Sequence, residues 1–460
     1  MNNNNGAATA AGTLYVDDLV DRQALTGRNY FMLALLLIAL LCDGFDLQLL
    51  AFAAPRLAKE WGIPPASLQY VMSANLLGMM IGAMFLGNLG DRIGRKRVIV
   101  IGTILYALTS LACLLAEDRL QLGILRFLTG MGLGGVLPNV IALTAEISPA
   151  SKRATLTSVP IIGMSLGSGL PSVVAAWLVP IYGWKALFVA GGVVPLIVAA
   201  IIAVALPESI LFLTYRGRHR AEVARRAHEL DPSVAIGPDT QFALRRQPGG
   251  TERQRGSVRE LFSGDLRVTT PLLWLMFACT LLSMHFLNSW MSVMLSQAGL
   301  SEVQTAFTNA VLHWGGTIAA VCTVLLLGRL GLTWVLTLLV LGLAGCLTIA
   351  ITGFSSALVL TLAVCMAGFG IVGCQGALNA SAGLIYPVSC RPTGVGAALG
   401  VGRIGSLSGP LVGGYFLAQQ LQTQQMFFVP MVPLALACLA TLVLVLRRVD
   451  IRSEGGGLAH

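Results

Sequence analysis

The first long apolar run of the chain, LLIALLCDGFDLQLLAF, contains two carboxylates, Asp43 and Asp46. Spaced i, i+3, they share one face of a helix. An ionised aspartate at the centre of a membrane-spanning helix costs about 2.5–3.5 kcal/mol. Two together therefore call for a water-filled cavity, a positive partner or a carboxyl that keeps its proton, and a pair so placed suits proton uptake and release. Gly44, between them, offers a locally opened helix. A cation recurs in the same setting at Arg126, in RFLTGMGLGG, where the small residues permit close helix crossing. It lies near the end of its run, within reach of the interface by snorkelling.

Such residues need a frame that holds them inside a membrane, and composition supplies one. Of 460 residues, 55% are hydrophobic and 11% charged, against roughly 25% charged in soluble domains. The start, MNNNNGAATAAGTLYVDDLVDRQ, lacks the basic and apolar blocks of a secretory signal and predicts a loose cytoplasmic tail. Nine cysteines stand singly, with no metal-ligand spacing, as small packing residues. The net charge of +9 is accounted for by basic cytoplasmic loops, which excludes a nucleic-acid reading. No Ser/His/Asp set, metal cluster or phosphate-binding loop supports an enzyme.

Twelve apolar runs are long enough to cross a hydrocarbon core of ~30 Å. They fall at 29–53, 68–88, 98–116, 121–143, 154–178 and 185–206, then at 269–295, 303–328, 332–352, 356–380, 393–419 and 425–446. The chain thus divides into a tail (1–28), a six-helix bundle (29–206), a polar central loop (207–268), a second six-helix bundle (269–446) and a C-terminal tail (447–460). The central loop contains YRGRHRAEVARRAHE, which predicts a short amphipathic helix at the membrane surface or a solvated linker. DRIGRKR, the central loop, Arg329, Arg391, Arg447 and Arg448 all fall on one side, so the positive-inside rule puts both termini in the cytoplasm. The halves also echo each other. PASKRATLTSVPIIGMSLGSGLP resembles PVSCRPTGVGAALGVGRIGSLSGP, with Arg153 and Arg391 in register, and LGNLGDRIGRKR weakly echoes LLLGRLGLTWV. The expected fold is an all-α polytopic membrane protein of 12 transmembrane helices in two pseudo-symmetric bundles, a transporter architecture with its site between the halves.

The loop GNLGDRIGRKR resembles the signature loop of the major facilitator superfamily. That resemblance implies a role in proton coupling for the arginine of the fourth span, Arg126. Beyond the fourth span, Glu146 and Arg153 fall on the same face as Asp91 and Arg92, and these four predict an ion-pair latch of the cytoplasmic gate, with Arg391 its counterpart in the second half. DGFD in the first span, with LPESILFL after the sixth, resembles the aromatic acid:proton symporters of that superfamily across nearly the whole chain. The resemblance implies uptake of a hydroxybenzoate-type acid such as 4-hydroxybenzoate, protocatechuate or gallate across a bacterial inner membrane, with Asp43 and Asp46 required for transport.

Such an anion needs a cation to receive it. Arg403 lies about 11 residues inside its span, hence ~16 Å deep, and its planar fork matches a carboxylate. His313, halfway along the eighth span, can relay a proton or bond a phenolic hydroxyl, with His285 a second candidate. Phe45, Trp290 and Trp314 can stack on a ring, while Asn288, Asn309, Gln375 and Asn379 can bond its substituents. The expected partners are the acid, protons and lipid, the unit is a monomer, and the proton gradient replaces any cofactor. The rival readings are a superfamily transporter of another organic acid or sugar, and a transporter-like chemosensor.

Overall fold

The structure is a computed structural model that describes residues 13–217, 220–232, 240–245, 258–387 and 389–447, with residues 234, 236, 237 and 449 besides. Residues 1–12, Arg448 and the end from residue 450 lie outside the described residues. In chain order the helices are α1 (Val16–Arg22), α2 (Gly27–Glu60), α3 (Gln69–Ile93), α4 (Arg95–Ala112), α5 (Arg119–Glu146), α6 (Arg153–Tyr182) and α7 (Lys185–Ala205). There follow α8 (Ile210–Tyr215), α9 (Arg220–Leu230), α10 (Leu266–Gln297), α11 (Glu302–Leu330), α12 (Leu332–Thr352), α13 (Ala357–Ala367), α14 (Gly373–Ile385), α15 (Arg391–Ala418) and α16 (Met431–Leu446). A π-helical turn, Gly368–Val372, joins α13 to α14 into one span.

Among the described residues twelve candidate spans result, six before and six after the central segment. Each is an apolar run closed by local chemistry. Asp118 accepts the amides of Leu120 and Gln121 to start α5, and Ser301 with Gln304 forms a capping box on α11. The weak echo between the halves has a structural counterpart. Gly94 (φ 110°) joins α3 to α4, and Gly331 (φ 59°) joins α11 to α12; both are joints at positive φ, where an L side chain is strained. Likewise Arg153 and Arg391 each donate to the carbonyl five residues earlier, Ser148 and Tyr386.

The bundles meet through α2 with α10, α3 with α15 and α6 with α11. Toward the face away from the chain ends, Arg56 pairs with Glu302, and the largest core cluster runs without interruption from the last turns of α2 into α10. Toward the face that carries the chain ends, α5 makes no substantial contact with the second bundle. On the far face the two halves also border a cavity of ≈ 660 Å³ lined by residues of α2, α6, α10 and α11, among them Arg56 and Glu302, and by Trp184.

The expected loose tail is corrected by the structure. Residues Thr13–Tyr15 form strand β1, which pairs in parallel with β2 (Gln241–Ala243), so the described part of the tail is bound to the central segment. Leu14, Val16, Leu19 and Val20 form one small core with Ile210, Leu213, Val223 and Ala227. The physical reason is the apolar side chains interleaved with the acidic ones in TLYVDDLV, which need a partner surface that only the central segment supplies. The helix expected at the membrane surface exists as α9, but its apolar residues Val223 and Ala227 are spent inside this lobe.

Candidate functional site

Asp46 is fully buried inside the first bundle and does not stand alone. Its Oδ1 accepts from the Ser110 hydroxyl at 2.8 Å and from Arg126 Nη1 at 3.2 Å. Arg126 Nη2 lies 3.0 Å from Oδ2 and donates to the Asp46 carbonyl at 3.0 Å. Arg126 is itself 0% exposed, with its guanidinium over the Phe188 ring. It therefore does not snorkel to the interface; a buried carboxylate holds it in place. Asp43, 3% exposed, faces Tyr106, one turn before Ser110 on α4. The i, i+3 spacing on α2 thus meets an i, i+4 pair on α4, and both carboxyls do share a face. Asp43 Oδ1 and the Tyr106 hydroxyl are both fully buried, with the two side chains facing each other.

Gly44 opens nothing. The helix is continuous from Gly27 to Glu60, and a Cβ on Gly44 would press into the Met164 carbonyl and lie 2.8 Å from the Ser168 nitrogen. The glycine lets α2 cross α6 at backbone distance.

A second polar cluster lies between the bundles. Gln48, Asn75, His285, Asn288 and Ser289 line a cavity of ≈ 30 Å³ where α2, α3 and α10 meet. The side-chain oxygens of Asn75 and Asn288 are buried there with no hydrogen-bond partner among the described residues. Arg403 on α15 lies within electrostatic range of His285. Among the described residues its half-buried guanidinium has neither an ion pair nor a hydrogen bond. The structure thus brings His285, Asn288 and Arg403 together and adds Gln48 and Asn75, two polar residues that the sequence reading passed over.

The remaining candidates are spread more widely. His313 and Trp314 pack against Gly169 where α11 crosses α6. Gln375 bonds Asn379 one turn along α14, where Asn379 is exposed. Asn309 donates to the Thr305 carbonyl of its own helix. Phe45 packs in the apolar core beside α7. Trp290, 0% exposed, donates its indole N–H to the Pro410 carbonyl at 3.0 Å. Both rings are thus buried in the core cluster, and depth along a helix does not say which way a side chain points.

The expected latch quartet is rearranged. The hub is Arg95, which pairs with Asp91 at 2.6 Å and Glu146 at 2.9 Å and donates to the Gly90 carbonyl at 2.8 Å. Arg153 pairs with Asp21 of α1, and Arg92 contributes its carbonyl, which accepts from Arg216. Arg95 was hidden among the basic residues of DRIGRKR; being 7% exposed, it is the one that turns inward. The far-face pair, Arg56 with Glu302, was also missed. All nine cysteines are free.

The family model of the Major Facilitator Superfamily matches residues 36–399 and, again, 273–457. A gallate transporter of Pseudomonas putida is 34% identical over 427 residues, covering 93% of this chain and 94% of its own. The 4-hydroxybenzoate transporter PcaK of the same organism is 34% identical over 440 residues, 95% of this chain and 98% of its own. Among solved structures, a bacterial homolog to the human lysosomal transporter Spinster, inward-facing and occupied, superposes with a TM-score of 0.69 at 15% identity. That superposition covers 94% of this chain and 100% of the other.

Proposed function

The chain belongs to the major facilitator superfamily of transporters, and on that premise we propose that it imports a hydroxylated aromatic carboxylate together with protons across a bacterial inner membrane. In this reading the terminal face is cytoplasmic, by the positive-inside rule. The relatives named for gallate and 4-hydroxybenzoate support the substrate class.

The observation that carries the proposal is the division of charge between two places. Inside the first bundle, Asp46 is paired with a buried arginine and Asp43 lies one turn away on the same helix; within electrostatic range of His285, Arg403 has no ion pair among the described residues. A proton arriving on Asp46 neutralises the carboxylate that holds Arg126, and the ion pair gives way to weaker hydrogen bonds. This changes how α2 sits against α4 and α5, and α2 also lines the cavity between the bundles through Gln48. Arg403 then receives the substrate carboxylate through its fork. The buried oxygens of Asn75 and Asn288 accept from ring hydroxyls, since an acceptor with no donor is costly to bury. Opening the far face breaks the Arg56–Glu302 pair. Both of its side chains are 42% exposed, so it contributes only about 0–1 kcal/mol and is easily traded between states. The unit is a monomer and needs no cofactor beyond the proton gradient.

The test is uptake of labelled aromatic acids into proteoliposomes under an imposed pH gradient, with wild type beside Asp46→Asn and Arg403→Ala. Gradient-driven uptake of hydroxybenzoates, lost in both variants, is the expected result. Normal transport by Asp46→Asn, or no movement of any aromatic acid, overturns the proposal.

A further inference from the structure

On the terminal face of the first bundle lies a cavity of ≈ 720 Å³ that the transport cycle does not use. Its wall is formed by the ends of α3 and α7, the start of α4, and the central-segment helices α8 and α9. Seven of its lining residues are basic and two acidic. Of the acids, Glu222 pairs with Arg226, while Glu208 accepts the amides of Lys96 at 3.2 Å and Ser209 at 3.1 Å through Oε1 and has its Oε2 buried without a hydrogen-bond partner among the described residues, so one unpaired negative charge stands against the cations of the recess. Arg225 is shared between Glu222 and Glu229, and Arg28 pairs with Glu229. That leaves the side chains of Arg92, Lys96 and Arg97 with no carboxylate among the described residues.

The cavity is also amphipathic in layout. Val204, 88% exposed, and Ala205 line it where α7 leaves the apolar layer. The cations therefore stand at headgroup level, one step from a surface that faces acyl chains. The lobe made by β1, β2, α1, α8 and α9 fixes the opposite wall, with Arg216 tied to the Arg92 carbonyl and stacked over Phe212. The apolar face of α9 is buried in that lobe, so the segment meets the membrane through a preformed basic recess rather than by inserting a helix.

We propose that this recess is a binding site for the phosphodiester headgroup of an anionic phospholipid, with Arg92, Lys96 and Arg97 as its ligands. Juxtamembrane cations are drawn to an anionic membrane surface, and a recess that gathers three around one phosphate turns that diffuse attraction into a site. The lipid, rather than a free phosphate, is the occupant because apolar wall and cationic wall are continuous.

The experiment uses full-length protein purified in detergent, titrated with phosphatidylglycerol, phosphatidylcholine or inorganic phosphate, and read by native mass spectrometry and by thermal stability. Wild type is expected to retain phosphatidylglycerol about tenfold better than phosphatidylcholine. The triple variant Arg92→Gln/Lys96→Gln/Arg97→Gln is expected to lose that preference, while Arg267→Gln/Arg329→Gln, which removes the same kind of charge from the second bundle, keeps it. Should the triple variant fail to give a monodisperse protein, Lys96→Gln and Arg97→Gln singly are each expected to weaken retention by two- to fivefold. Equal retention of the two lipids by wild type, or an unchanged preference in the substituted proteins, overturns the proposal. Stabilisation by inorganic phosphate that also displaces phosphatidylglycerol overturns the membrane source.

Discussion

The Asp46–Arg126 pair offers a test whose size follows from its geometry. Arg126→Ala leaves a carboxylate at 0% exposure with only the Ser110 hydroxyl to satisfy it, and Asp46→Ala leaves a guanidinium in the same position. Breaking a buried pair from one side costs about 3–5 kcal/mol because the surviving charge is uncompensated. Removing both partners together, as Asp46→Ala/Arg126→Ala, leaves a cavity but no orphan charge, so the double variant is expected to be no less stable than either single one. If each single change costs ~4 kcal/mol and the double about the same, the coupling in the cycle is also ~4 kcal/mol, above the 0.5–3 kcal/mol usual for neighbours. Arg126→Lys fills an intermediate place, since a point charge cannot reproduce the three guanidinium contacts with Asp46. The assay is the unfolding free energy of purified protein in mixed micelles under increasing denaturing detergent, with correct folding checked by gel filtration. Additive losses, near 8 kcal/mol for the double variant, would refute the view that these charges exist for each other.

Three further outcomes are expected. Gly44→Val forces α2 away from the α6 backbone, where the Ser168 nitrogen would stand 2.8 Å from the new Cβ, and is expected to cost about 1–3 kcal/mol or more by overpacking, read as a lower melting temperature. Arg95→Gln removes the hub that holds Asp91 and Glu146 and is expected to reduce uptake several-fold, whereas Arg92→Gln, at an exposed side chain outside that hub, is expected to be nearly neutral in the same uptake assay. Removal of residues 1–22 strips β1 and α1 from the lobe core and unpairs Arg153 from Asp21; protease cleavage within the central segment is expected to accelerate at least tenfold, and unchanged cleavage would contradict the lobe.

The spans were legible because a membrane imposes one test, length and apolarity, that each run passes by itself. The run read as 332–352 coincides with α12 at Leu332–Thr352, and the others differ by a few residues at their polar ends. What eluded the sequence was direction around each helix. Depth alone carried one unused clue. Counted from the far ends of their apolar runs, Asp46 is about seven residues in and Arg126 about five, which at ~1.5 Å per residue puts opposite charges within ~3 Å of one level. Trp290 and Phe45 gave no such sign, since an aromatic ring is equally at home in a core or a pocket. The parallel pairing of β1 with β2 joins segments more than 200 residues apart, and strands of three residues leave no periodicity to read.

That pairing has a consequence for how the polypeptide can be divided. A cut placed after α7, where the first six helices end, separates β1 and α1 from the strand and helices that cover them, and exposes the apolar side of TLYVDDLV. A cut beyond Arg245, whose amide donates to Asp17 at 3.1 Å and whose guanidinium pairs with Asp18 at 3.0 Å, keeps the first fragment whole. Co-expressed fragments divided at the later point carry β1, β2, α1, α8 and α9 together in the first. The symmetric seam suggested by six and six helices is therefore not the natural one: the first half of this protein closes on itself only some forty residues after its last membrane crossing.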